Sequence, residues 1–132
     1  MRYLLDTNIL IAAMKGVSSV RAYLETTPLS QLVLSPVVLG ELELGVAKSR
    51  HADKNAARLA SVASHLPLIP LDADTSRHYG EIRAVLESRS TPIGANDYWI
   101  AAQARALGAI IVTDNVGEFS RVPGLTVENW LQ

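Results

Sequence analysis

Short, almost wholly apolar runs alternate with helix-patterned segments along this chain, and that alternation leaves few folds open. RYLL, QLVLS and AIIV, ending at Leu5, Ser35 and Val112, show no period-two polar face. Each reads as a strand covered on both sides, the habit of parallel sheets whose crossovers are helices. LPLIPLD suggests a further strand around Leu68 and Ile69, and TVENW an edge strand. Between them, helices are expected from Ile9, over 20–26, from Pro36 to about Ser49, over 52–65, over 75–87, and from a cap at Ala95 or Asn96 to Leu107. Ser35-Pro36 is an N-cap followed by proline at the first helical position, and Gly108 is placed to end a helix in the left-handed region. In such α/β folds, ligands bind outside the carboxyl ends of the strands. Asp6 and Asp114 both fall there.

At 132 residues and 48% hydrophobic content, the chain suits one domain, 1–132, with a sizeable core. No apolar run reaches the roughly 20 residues of a membrane span, so a cytoplasmic protein is expected. The absence of cysteine excludes thiolate catalysis and a thiolate zinc site, and His51, His65 and His78 are too scattered to form a close-spaced ligand pair. Any metal must therefore rest on oxygen. A formal net charge of −1 offers no global field for a polyanion, so nucleic acid would need a local basic surface or a partner.

Four acidic stretches lie against apolar sequence: Asp6 in LLDTN, Glu41 in LGELELG, Asp97 in GANDYW, and Asp114 to Glu118 in VTDNVGEF. On helical geometry Glu41 has Val37, Val38, Leu44 and Gly45 beside it, whereas Glu43 faces elsewhere and is expected in solvent. Each acid has a plain structural role open to it. Asp6 suits a helix N-cap, Asp97 the positive end of a helix dipole, and Glu41 a pairing with arginine. If the fold gathers them, their repulsion is relieved only by protonation or by a hard cation such as Mg²⁺ or Mn²⁺. Thr7, Asn8, Thr113 and Asn115 would then be neutral hydrogen-bond partners around the acids, although the two asparagines also suit turns.

The runs LLDTNILI, SPVVLGELELGV, TPIGANDYWIAAQARALGAIIVTDN and VGEFSRVPGLTVENW, in that order, resemble the PIN-domain family, most closely its VapC branch of toxin–antitoxin ribonucleases. The resemblance spans essentially the whole chain. It implies a three-layer α/β/α sandwich with a central, mainly parallel sheet. It further implies that Asp6, Glu41 and Asp97 hold Mg²⁺ or Mn²⁺, with Asp114 or Glu118 as the fourth acid. Asn115 stands where wider PIN-domain sequences can carry Asp, so one or two ions both fit the pattern. The implied reaction is endonucleolytic hydrolysis of RNA by metal-activated water. The implied partners are a second copy of the chain and a VapB-type antitoxin that blocks the acidic pocket, with promoter DNA reached only through the antitoxin complex. An alternative is a PIN-like binding module with little nuclease activity that acts through the antitoxin and promoter DNA.

Basic residues concentrate at Lys48, Arg50, His51, Lys54 and Arg58, as a solvated helix face or as phosphate contacts. Tyr98 is a candidate base contact and Trp99 a candidate core residue. Ile11, Met14 and Leu24 are divided between core and interface. Two other acid-bearing α/β folds fit less well. A haloacid-dehalogenase-like phosphatase needs a second acid where Asn8 stands, and a receiver domain needs a late lysine, yet no lysine follows Lys54.

Overall fold

The computed structural model describes all residues, 1–132. Four parallel strands form the central sheet in the order β2-β1-β3-β4: β1 (Tyr3–Leu5), β2 (Leu32–Val33), β3 (Ile110–Val112) and β4 (Val127–Glu128). Leu4 lies in register with Val33 on one side and Ile111 on the other, and Ile111 with Val127. The helices are α1 (Thr7–Met14), α2 (Ser18–Thr26), α3 (Pro36–Ala47), α4 (Ala52–Ala63), α5 (Ala73–Ser88), α6 (Ala95–Leu107) and α7 (Val116–Phe119). This is the α/β architecture with a parallel sheet flanked by helices that the apolar runs demand.

From β1 the chain moves to one side to make β2, then returns across β1 to make β3 on the other. Connections leaving in opposite directions open a crevice at the carboxyl ends of β1 and β3, the usual ligand position in such sheets. The ladder extends one residue past each strand toward that crevice. Asp6 N–H donates to Val112 O at 2.9 Å, and Thr113 N–H donates to Glu128 O at 2.9 Å. Asp6 and Thr113 are therefore placed by the sheet itself and not by flexible loops.

Several element boundaries differ from expectation for definable reasons. The segment around Leu68 is no strand but a single parallel bridge to Leu34. Leu34 N–H donates to Pro67 O and Ile69 N–H to Leu34 O, while Pro67 and Pro70 have no N–H with which to extend the ladder. Gln103, fully buried on α6, ties this segment down by donating to Ile69 O at 2.8 Å. Helix α1 begins at Thr7 and not Ile9, because the Asp6 carboxylate caps it directly. Helix α5 begins at Ala73, since Asp72 accepts from both the N–H and the hydroxyl of Thr75. Helix α6 is capped by Gly94 and not by Ala95 or Asn96, and it ends as foreseen at Gly108 with φ 64°. The four-residue α7 has no apolar period long enough to be read in advance.

Leu4, Leu5, Ile111 and Val112 lie at the centre of the core, and Trp130 closes the far edge. The Trp130 indole lies flat against Tyr23 of α2, with ring centroids 4.9 Å apart, and tilts against Tyr3 of β1. The last residues of the chain are thus clamped to its first strand. Trp130→Ala should cost about 3–5 kcal/mol of unfolding free energy in urea denaturation, as for other buried aromatic truncations. Leu29→Ala, at a position 54% exposed, should change it by less than about 0.5 kcal/mol.

Candidate active site

Asp6 sits at the centre of the crevice, only 7% exposed. One carboxylate oxygen accepts from Thr7 N–H at 2.8 Å and the other from the Thr113 hydroxyl at 2.7 Å. Thr113 Oγ1 in turn accepts from Asn115 N–H at 3.0 Å. These donors fix the rotamer of Asp6 and leave its remaining lone pairs for another ligand. Burial pushes its carboxyl pKa up, against the two hydrogen bonds that favour the anion, and the charges of Glu41 and Asp114 raise it further.

Thr7 joins two acids. Its N–H serves Asp6 while its hydroxyl donates to Glu41 Oε1 at 2.6 Å. Glu41 is half-buried on α3 and Glu43 is exposed, as the helical spacing requires. Across the crevice, Asp97 lies in the first turn of α6 in hydrogen-bonding contact with Glu118 of α7. Two carboxyl groups in contact need a proton or a cation between them. Desolvation first, then the bond to Glu118 and the charges of Asp6, Glu118 and Glu41, push the Asp97 carboxyl up to about 7. Partial burial would raise Glu118 too, but bonds from Asp97, Asn115 and Gly94 N–H, helped by the Arg121 guanidinium, hold it below the ordinary carboxylate range. The proton therefore belongs to Asp97. Asp114 is exposed at the rim, bonded by Asn8 Nδ2 at 3.2 Å.

Every acid singled out from sequence thus meets at one sheet edge, linked by charge or hydrogen bonds. Of the two open choices for the fourth acid, Glu118 is built into the Asp97 pair and Asp114 lies outside it. Two aromatic expectations fail. Tyr98 is 2% exposed, with its hydroxyl accepting from Ile93 N–H, so it cannot reach a base. Trp99 is half-buried and not core, stacked on Tyr79 with centroids 4.0 Å apart. Ile11, Met14 and Leu24 are partly buried against the core.

Gly94 went unread in the sequence, and its signal was its position just before an acid-bearing helix. Its N–H donates to Glu118, and a Cβ there would stand 3.2 Å from Asp97 Oδ2. A side chain there would require the Asp97 carboxylate to shift by a few tenths of an ångström.

The donor set is all oxygen, with no thiolate or imidazole among the site residues, which suits a hard divalent cation. No three of these side chains stand as a finished ligand set.

A parallel α/β sheet carrying a cluster of acids at its switch point is shared by several classes of protein, and similarity to known proteins decides among them. The PIN domain family model matches residues 3–125. "Ribonuclease VapC2" of Rickettsia felis is 40% identical over 132 residues, covering 98% of each chain. "tRNA(fMet)-specific endonuclease VapC" of Shigella flexneri is 38% identical over 131 residues, again covering 98% of each. Among solved structures, the VapBC2 complex of Rickettsia felis bound to a promoter DNA fragment superposes with a TM-score of 0.92 at 39% identity, covering 98% of this chain and 99% of that one. DNA-bound VapBC of Salmonella typhimurium gives 0.93 at 34% identity, with 98% of each covered. The chain belongs to the PIN-domain family. Within it, these relatives place the chain among the VapC-type toxins.

The shared proton sets a pH dependence. A carboxyl raised in the folded state favours folding at low pH, and that stability is lost as pH rises from its ordinary 3.8 through about 7. Glu118, held low, acts the other way only in more acidic solution. In EDTA, the melting temperature should therefore fall between about pH 4 and pH 7. Adding Mn²⁺ should raise it more at the higher pH, and Asp97→Asn should flatten both trends.

Proposed function

We propose that the protein is a Mg²⁺- or Mn²⁺-dependent endoribonuclease, the toxin of a VapBC-type toxin–antitoxin pair. The observation that carries this reading is the gathering of Asp6, Glu41, Asp97 and Glu118 at one sheet edge, an all-oxygen donor set whose mutual repulsion a divalent cation would relieve. A divalent cation would compete there with a proton on Asp97, whose carboxyl is pushed up to about 7 by burial and by its acidic neighbours. When bound, it would supply positive charge against the scissile phosphate and acidify the attacking water.

The chain's own residues divide the remaining work. Asp6, fixed by Thr7 N–H and Thr113, is the rigid anchor, and Thr7 orients Glu41 toward the same space. Asp97 and Glu118 would hold the cation in place of their mutual bond, and the missing side chain of Gly94 leaves room beside Asp97. Asp114, exposed at the rim and bonded by Asn8, would be the acid open to a second cation. Asn115 holds Glu118 from the other side.

The Shigella relative's name supports RNA as substrate and makes initiator tRNA the first one to try. The VapBC complexes support a VapB-type antitoxin as partner, with promoter DNA bound through that complex. A homodimer and a cytoplasmic location complete the reading; no helix is long and apolar enough to cross a membrane.

Initiator tRNA and total RNA should be cut in Mg²⁺ or Mn²⁺ and left intact in EDTA. Asp6→Asn and Asp97→Asn should each lower the rate by at least about 100-fold, the scale of losing an acid–base or charge-positioning group, while circular dichroism stays native. Wild-type and Asp6→Asn proteins equally inert toward RNA would favour a binding module that acts only through the antitoxin and DNA.

A further inference from the structure

The turn that leads into α6 decides where Asp97 stands, because that acid lies in the first turn of the helix. Three hydrogen bonds hold the turn, one at each of its residues. Pro92 O accepts from Arg121 Nη1 at 3.0 Å, Ile93 N–H donates to the Tyr98 hydroxyl at 3.2 Å, and Gly94 N–H donates to Glu118 Oε1 at 3.3 Å. The middle bond stays within α6 and its entry. The outer two both run to α7 and its exit, where Arg121 N–H closes onto Glu118 O at 3.1 Å. One tight turn of backbone therefore grips another at a carbonyl and at an N–H.

The two grips differ in what else they serve. Glu118 also touches Asp97 and accepts from Asn115. Arg121 forms no ion pair, and Pro92 O is its one side-chain hydrogen-bond partner. A guanidinium bonded to a lone carbonyl keeps its charge unneutralised, and that charge acts on the Glu118 carboxylate beside it. Phe119 and Val122, both buried, hold this segment to the core, whereas Arg121 is exposed and reaches sideways to the turn.

We infer that Arg121 is a positioning residue of the acidic site: its bond to Pro92 O holds the entry of α6, and with it Asp97, against the segment that carries Glu118. The assignment rests on the metal-dependent reading above, under which Glu118 turns to the cation and Arg121 stays as the side-chain tie between the two segments. An arginine that contacted RNA phosphate instead would act on the substrate and leave the two acids where they are.

The test compares the wild-type protein with Arg121→Ala and Arg121→Lys. In EDTA, amide hydrogen exchange at Ile93 and Gly94 should be about 3- to 10-fold faster in Arg121→Ala, the range of one hydrogen bond, with exchange at Ile111 of the central sheet unchanged. Mn²⁺ affinity, read from the electron paramagnetic resonance signal of the free ion, should weaken by a similar factor. Arg121→Lys keeps a charged donor and should recover most of both. With RNA, the alanine variant should lower kcat and leave KM unchanged. Either exchange or Mn²⁺ affinity equal to wild type in Arg121→Ala would overturn the assignment. So would a loss confined to RNA affinity in EDTA, which would make Arg121 a phosphate contact. A wild-type protein that binds Mn²⁺ but cuts no RNA sinks the nuclease reading alone, and the exchange and affinity ratios still decide Arg121.

Discussion

The structure turns on a carboxylate kept out of water at the end of a central strand. An unpaired buried anion is expensive, and Asp6 is tolerated because the sheet supplies its partners. Thr7 N–H belongs to the helix that Asp6 caps, and the Thr113 hydroxyl projects from the neighbouring strand. These bonds satisfy one acid. They leave the repulsion from Glu41, Asp97, Glu118 and Asp114 unrelieved, and the fold answers with a proton on Asp97. A site where burial and the charge of neighbouring acids push a carboxyl up to about 7 is one that a divalent cation can enter by displacing the proton.

The order of the strands makes this arrangement possible. With β1 between β2 and β3, the two connections leave the carboxyl edge in opposite directions, and residues from four separate helices reach into the gap. Asp6 caps α1, Glu41 comes from the middle of α3, Asp97 from the first turn of α6, and Glu118 from α7.

Much of this was legible in the residues. Apolar runs without a polar face marked the parallel strands, Ser35-Pro36 and Gly108 marked helix ends, and carboxylates in apolar surroundings marked the site. The Leu68 segment was overread, because apolar composition was weighed above the two prolines that deny it ladder donors. Tyr98 was misread for a different reason. Its place beside Asp97 suggested access to the site, but successive helical residues point about 100° apart, and Tyr98 turns inward to bond Ile93. The role of Gly94 was invisible because a glycine's contribution there is an absence, the missing Cβ that would crowd Asp97. The Asp97–Glu118 contact joins residues far apart in sequence, and no local pattern encodes which acid receives the proton.

Counting protons released on cation binding tests the central claim most directly. At about pH 6, where Asp97 is still mostly protonated, saturating the protein with Mn²⁺ in weak buffer should release about one proton per chain, and Asp97→Asn should release almost none. Mn²⁺ binding with no proton release, or release that persists in Asp97→Asn, would contradict the exchange of proton for cation on which this account depends.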